Sequence, residues 1–412
     1  MGEKQMSKRA GLFACTALGA LSLALAAPAA AQADEAAEAA RAQAADDDVA
    51  QADAESDTQI VVTGSRIRGI NAAGSQVIGL DQADIQEAPV QSTADLLRRV
   101  PQVVTLGANP NGGSAQNGAA NVTRSAGINL RGLGNTATLL LYDGKRFPPQ
   151  GTQGQLTDPS VIPALALARV EVVADGSSAI YGSDAIGGVV NFILRRNFDG
   201  AELSARSGFT GDGEYSEQQI AGIFGHTWDN GWGMVSAEYT RNSALYASDL
   251  PWYQANNLDR GGRDLRTNFC NPGTISVGGG TYAIPQGGVT EANVGSLVRG
   301  TTNRCFYNGI GNSDAVFPEM ERVSVVGAVS QDIGSHVRVF ADGFYSYRDG
   351  VIPTIATTTA NVPRTNPFFV TPVAGANSVS VTWSLFPDYG ALENPYWSDS
   401  WNVSAGIEAD IV

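Results

Sequence analysis

The sequence predicts an α+β domain followed by antiparallel transmembrane β-barrel strands, about six of them, in an exported chain. Three observations carry this reading. The chain opens on a charged, then apolar, then small-residue run. From about Gln76 to Leu194 short strand-like and helix-like segments alternate. After Asn197 the pattern changes to long strands of period two, joined by connections that are alternately long and short.

Lys4, Lys8 and Arg9 precede an apolar run from Gly11 to Ala27, and Pro28 with Ala-Ala-Ala-Gln-Ala follows. That order describes a secretory signal peptide over residues 1–33, cleaved after Ala31 or Ala33. The run is too short and Ala-rich to span hydrocarbon. Cys15 lies early in it, whereas a lipoprotein cysteine would follow it. Removing Glu3, Lys4, Lys8 and Arg9 moves the formal charge from -15 to about -17. Such acidity argues against a nucleic-acid partner, since phosphate backbones need basic stripes. No later apolar stretch is long enough for a spanning helix, so the remaining way through a membrane is a closed barrel. The 48 glycines suit tight turns and β structure.

Residues 34–56 are acidic, Ala-rich and without core-forming side chains, which reads as a disordered linker. The character changes at Asp57-Thr58-Gln59-Ile60-Val61-Val62-Thr63-Gly64. Three β-branched residues in a row suit adding a strand to another protein's sheet edge. On composition alone a buried strand of the next domain fits as well. Cys270 and Cys305 remain after export, and an isolated pair in an oxidising compartment forms a disulfide. A metal site would need more ligands, and the chain holds 2 His.

In the mixed domain, Asp81 begins a helical turn, and Ser92 caps a helix over Thr93–Arg99 that Pro101 stops. Residues 107–126, rich in Gly, Asn and Ser, read as a flexible loop. Leu139–Tyr142 runs into Asp143-Gly144, a hairpin signal, then Lys145-Arg146-Phe147. Val161–Ala168 reads as a helix, and Arg169-Val170-Glu171-Val172-Val173 as a strand.

Beyond Asn197, Ala201, Leu203, Ala205 and Phe209 share one strand face opposite Glu202, Ser204 and Arg206. Val337, Val339, Ala341, Gly343 and Tyr345 share another, and Trp401, Val403, Ala405, Ile407, Ala409 and Ile411 a third. Segments 217–228, 231–242 and 321–333 are similar in length. Lipid-facing apolar and lumen-facing polar residues produce this alternation, as would a soluble sandwich. The connections favour a barrel: one short outer loop, a turn at Asp229-Asn230-Gly231, nearly eighty residues, a turn near Gly334-Ser335, then about fifty. Cys270 and Cys305 fall in a long external loop. Trp228, Trp232, Tyr239, Tyr345 and Trp401 fall near strand ends, as an interfacial aromatic girdle does.

Gly132-Leu133-Gly134-Asn135-Thr136-Ala137 matches a dinucleotide fingerprint by letter, but Thr138–Gly144 reads as strand and hairpin where a helix is required. His226 and His336 have no nucleophile or carboxylate pattern nearby. The sequence therefore predicts no catalytic residue, no metal site and no cofactor, and the protein is not expected to be an enzyme.

At this point the residues resemble a family. Ile60-Val61-Val62-Thr63-Gly64 is similar to a TonB box. Ile128–Gly134 (with Arg131, Gly132 and Gly134), Leu139–Arg146 (with Asp143 and Gly144) and Arg169–Asn191 (with Glu171, Tyr181, Gly182, Gly187 and Gly188) resemble the plug motifs of TonB-dependent outer-membrane receptors. The resemblance implies a TonB box over 57–64, a plug domain over 65–197 and the N-terminal part of a barrel over 198–412. It implies a ligand bound above the plug, and the box, Asp57 to Thr63, pairing in the periplasm with TonB, which transmits proton-motive energy through ExbB–ExbD. Outer-membrane lipid and a small-molecule ligand are the other partners implied, in the outer membrane of a Gram-negative bacterium. A tether of the length of residues 34–59 spans about 28 Å, so the box can be presented away from the barrel.

The departure from the family is the strand number. Six strands would close at a radius of about 6 Å, whereas a domain of some 140 residues fills a sphere of about 18 Å, and about 22 strands give about 22 Å. The expectation is an incomplete barrel and an N-terminal portion of a nutrient transporter. The alternatives are a TonB-coupled signalling receptor, a non-functional truncated fragment, or a soluble plug-type binding module. Siderophores, cobalamin and saccharides remain open as substrates.

Overall fold

The computed structural model describes residues 77–88, 92–105, 121, 124–151 and 154–410. The signal peptide, the acidic linker, residues 57–64 and most of the 107–126 loop lie outside them. All described residues belong to one compact unit, Ile60–Val412.

Strand β1 (Val77–Leu80) leads into α1 (Gln82–Glu87). Asp81 caps α1: its carboxylate accepts from the Asp84 N–H at 2.9 Å, and the Asp84 carboxylate accepts from the Asp81 N–H at 3.1 Å. This reciprocal box satisfies donors that a helix start leaves open. Helix α2 (Thr93–Leu96) tightens into a 3₁₀ turn over Leu97–Arg99. Ser92 occupies the N-cap position, but its hydroxyl donates to the Asp95 carboxylate at 2.7 Å and makes no backbone cap.

The domain continues with β2 (Val103–Thr105), β3 (Asn129–Leu130), β4 (Thr138–Tyr142), β5 (Lys145–Arg146), β6 (Leu167–Val173), α3 (Ser178–Tyr181) and β7 (Gly188–Leu194). Its five-stranded sheet has the order β1-β6-β7-β4-β5. Only β4 and β7 run parallel among these neighbours. The β4–β5 turn places Asp143 at φ 50° and Gly144 at φ 81°, the left-handed pair that matches strand twist in a two-residue hairpin. The helix expected over Val161–Ala168 does not form. Two separate 3₁₀ turns, Pro159–Val161 and Ala164–Ala166, flank an extended Ile162-Pro163, and β6 already starts at Leu167. A proline disfavours helical geometry in the residue before it, which breaks the segment at Ile162.

The remaining elements are β8 (Gly200–Phe209), β9 (Ser216–Trp228), β10 (Gly231–Asn242), β11 (Leu245–Tyr246), β12 (Thr274–Val277), β13 (Gly280–Ala283), β14 (Ala315–Phe317), β15 (Glu319–Ile333), β16 (Val337–Thr354), β17 (Thr357–Pro363), β18 (Ser378–Ser384), α4 (Phe386–Tyr389) and β19 (Leu392–Ala409). Six of them form one antiparallel meander, β19-β16-β15-β10-β9-β8. The sheet is not closed, and β8 and β19 are its edges. Its outer face exposes Leu203, Phe224, Val235, Val403 and Ile407, while Ser236, Ser324 and Ser346 are buried on the inner face. Apolar outside and polar inside is the pattern of lipid-facing barrel strands. The substitution Phe224→Arg is accordingly expected to destabilise the chain in lipid vesicles by about 2–4 kcal/mol, read as a lowered urea midpoint. An unchanged midpoint would remove this face from lipid.

Connections at 210–215, 229–230, 243–318, 334–336 and 355–391 keep the expected alternation, although the last is shorter than about fifty because β16 and β19 run further outward. For the same reason Tyr345 and Trp401, which pair across the strands, sit in mid-strand and not near strand ends. Trp232 is also displaced from the expected girdle. Its strand parity matches that of Met234 and Ser236, so it turns inward and packs against the main core.

The long loops are not featureless. Strands from both assemble a second sheet, β13-β12-β18-β17, with Ile275 opposite Val381 across the β12–β18 pair. Ile275, Val277, Tyr282, Ile284 and Val379 form its own core, and a Cys270–Cys305 disulfide ties the larger loop to itself.

Candidate functional site between the mixed domain and the sheet

Even-numbered residues of β9 and odd-numbered residues of β10 point outward or are exposed, and the opposite set faces the mixed domain. One hydrophobic core runs across the boundary, joining Leu140, Tyr142 and Phe192 to Ile223, Met234, Val326 and Phe344 of the sheet. Phe344 meets Tyr142 edge-on at 5.3 Å, and Phe147 meets Phe192 edge-on at 5.7 Å, the arrangement aromatic quadrupoles prefer.

Charged groups are set into this apolar boundary. Arg348 of β16 is 2% exposed. It pairs with Asp158, donates to the Ser160 hydroxyl at 3.0 Å and reaches the Arg124 carbonyl. Asp158, 0% exposed, also accepts from the Ser160 N–H at 2.9 Å and the Ser160 hydroxyl at 2.6 Å. Burial pushes the Asp158 carboxyl up. The Arg348 charge and the hydrogen bonds from Arg348 and Ser160 outweigh that push and hold it below its ordinary value. Lys145, carried by the Asp143-Gly144 hairpin, pairs with Asp342 of β16 and lies 2.6 Å from the Ser404 hydroxyl of β19. Gln150 donates to Ser400 at 3.0 Å. On the sheet itself Arg322 pairs with Glu238 at 2.9 Å, and Gln219 donates to the same carboxylate at 2.9 Å.

The first segment of the mixed domain is held differently. Arg206 of β8 donates to the carbonyls of Ala88 at 2.6 Å and Gln86 at 3.2 Å, at the end of α1. Beneath α1 lies a cavity of about 540 Å³ lined by Ile85, Gln86, Leu165, Gln219 and Glu238 among others. The domain and the sheet are thus pinned by ion pairs on the β16–β19 side, whereas on the β8–β10 side the Arg206 hydrogen bonds and the shared core leave this cavity between them.

The sequence motifs fall around the β4–β7 pair. Arg131 donates to the Ile186 carbonyl at 3.1 Å and lies 3.8 Å from Asp175. Gly132 and Gly134 occupy the turn into β4, where the Asn129 side chain receives the Gly134 N–H at 2.8 Å. Asp143 pairs with Arg196 at 2.6 Å, and Gly144 donates to Asn191 at 3.0 Å. Arg169 pairs with Glu171 at 2.8 Å on β6. The Tyr181 carbonyl accepts from Arg146 at 2.7 Å, next to Gly182, and Gly187 donates to Ala137 at 2.7 Å. These contacts are internal to the domain. Residues 57–63 lie outside the described residues, so no partner surface is placed there. His226 stands exposed on the outer face, 3.4 Å from Asp199. Among the described residues no group of three or more His, Cys, Asp or Glu could hold a metal ion.

Arg348, Asp158, Asp342 and Glu238 did not stand out in the sequence, and Lys145 did so only as part of the hairpin motif. The available signal was parity: counted inward from exposed Tyr345, Arg348 falls on the polar side of its strand.

Together these features define a mixed domain packed on an open antiparallel sheet whose outer face is apolar. Residues 69–189 match the family model TonB-dependent Receptor Plug Domain. Among solved structures, a mutant of the ferric enterobactin receptor PfeA of Pseudomonas aeruginosa aligns at 18% identity and a TM-score of 0.44, over 66% of this chain and 33% of that one. The siderophore receptor PirA of Acinetobacter baumannii aligns at 18% identity and a TM-score of 0.36, over 74% of this chain and 43% of that one. The chain therefore spans 33% to 43% of these receptors.

Proposed function

We propose that this chain supplies the plug and the first strands of a TonB-coupled receptor in a Gram-negative outer membrane, taking up a scarce small molecule by energised transport. The observation that carries the reading is a family-matched plug whose core continues into the inner face of a sheet with an apolar outer face. On this reading residues 1–33 direct export, 34–56 are a tether, and Asp57–Thr63 add a strand to TonB, which passes on energy from ExbB–ExbD. Residues 65–197 stop the lumen and 198–412 line it. The work is transport, not catalysis, and it needs no cofactor. Enterobactin and siderophores are the ligands named for the structural neighbours and are not carried over.

Deleting residues 57–63 in the receptor in its host should abolish uptake while surface binding persists, and a proton-motive uncoupler should do the same to the unaltered receptor. Uptake that survives both treatments would end this reading.

A further inference from the structure

We infer that strand β17 is a docking edge for a second copy of this chain, the two strands pairing antiparallel about a two-fold axis. The inference goes beyond the transport reading and holds whichever molecule the receptor takes up.

The sheet shared by the two external loops, β13-β12-β18-β17, has two edges that are finished differently. The β13 edge is covered by its own loop. The Gly300 N–H donates to the Thr281 carbonyl at 2.8 Å, the Ala283 N–H donates to the Thr301 hydroxyl at 3.0 Å, and Arg299 reaches the Gly278 carbonyl at 3.4 Å. The β17 edge has no such cover. Its residues pair with β18 in continuous register, and among the described residues no backbone group of Thr357–Val362 finds a hydrogen-bond partner outside β18. Every residue of Thr357–Asn361 is exposed. The strand also lacks the features that keep an edge from pairing: it has no charge, no bulge and no proline before its last residue. Its three consecutive threonines suit extended structure. Such an edge is a template for strand addition.

What stands at the two ends of β17 selects the partner. Tyr389, 72% exposed, lies at its start, where α4 is anchored. There the Leu385 N–H donates to the Ala356 carbonyl at 2.9 Å and the Tyr389 N–H to the Leu385 carbonyl at 3.0 Å. Phe368, 87% exposed, lies past its end. Its turn is fixed by the Asn366 N–H on the Pro363 carbonyl and the Phe368 N–H on the Asn366 side chain, both at 2.9 Å. Antiparallel pairing of two copies brings the Phe368 end of each against the Tyr389 end of the other. The edge is therefore complementary to itself, as an isologous contact requires. Its lack of charge removes the repulsion that like groups meet across such an axis. An edge about 24 Å long and about 10 Å deep, with two aromatics burying about 150 Å² each on both copies, gives about 1,000 Å² in total, the lower bound for a specific interface. The contact is a weak dimer, favoured where both copies are confined to one membrane plane.

The test labels the full chain with donor or acceptor fluorophore and measures energy transfer in lipid vesicles as protein density rises. Transfer should grow with density and saturate at the level of a dimer. Ala360 stands at the middle of β17 and is exposed. Ala360→Lys sets like charges across the axis and should weaken association about tenfold or more, and Ala360→Glu should do the same. Mixing the Lys and Glu variants should restore association, which local unfolding of the strand could not produce. Val298→Lys alters a residue that is 64% exposed beside the opposite edge, and it should leave association unchanged. Unaltered chains that stay monomeric at every density overturn the inference. Association that Ala360→Lys leaves intact does so as well, because it would run through the open edges β8 and β19. An equal loss from Val298→Lys, or a loss that mixing does not repair, has the same meaning. Neither TonB nor an energised membrane is present, so failure here leaves the coupling proposal standing.

Discussion

Arg348→Met is expected to loosen the plug by about 3–5 kcal/mol, since it strands a buried carboxylate that has lost its counter-ion. Arg348 and Asp158 are 2% and 0% exposed, so water cannot take over the missing contact. Their pairing spans two parts of the fold, β16 of the sheet and the 3₁₀ turn at Pro159 of the plug. The loss should therefore appear as faster amide exchange around Ser160 and easier proteolysis of the plug, with the strands still assembled. The double variant Arg348→Met with Asp158→Asn should recover most of the loss, because a neutral amide costs less to bury than a lone carboxylate. Acid should act in the same direction. The folded-state pKa of Asp158 is depressed, so its stabilisation is present above the unfolded carboxylate value of about 4. It is lost as pH falls from there through the folded value. Asp158→Asn should flatten that acid limb. A single variant as stable as the unaltered chain, with an unchanged acid limb, would show that this pair does not fasten the plug.

The elements that sequence patterning places well are those whose evidence is local. The Asp143-Gly144 turn, the capped start at Asp81 and the six long strands each follow from residues a few positions apart. Val161–Ala168 misleads because its apolar spacing suits a helix, while Pro163 inside it forbids one. Trp232 misleads by one step of parity, since position near a strand end says nothing about which face a side chain takes. The plug-to-sheet ion pairs and the sheet shared by two external loops are not legible at all. Lys145 meets Asp342, and β12 meets β18, across roughly a hundred residues or more, and nothing local marks such partners.

Gly188 tests the plug motif most sharply. It opens β7 at φ 137°, and a Cβ there would collide with the Val173 carbonyl and come within 2.8 Å of the Leu130 side chain. Val173 is a backbone partner of β7, so relief requires β6 to move away from the strand it pairs with. Backbone strain and overpacking together put Gly188→Ala at about 2–6 kcal/mol. Gly132 supplies the comparison. It also has positive φ, 75°, but a Cβ would meet nothing within 4 Å, so Gly132→Ala should cost only about 1–2 kcal/mol of conformational strain. Urea midpoints and protease resistance of the two variants should rank accordingly, with Gly188→Ala far the weaker. Equal midpoints would mean that β6 and β7 part easily, and the close approach of these two strands would then not be what keeps the plug a single body.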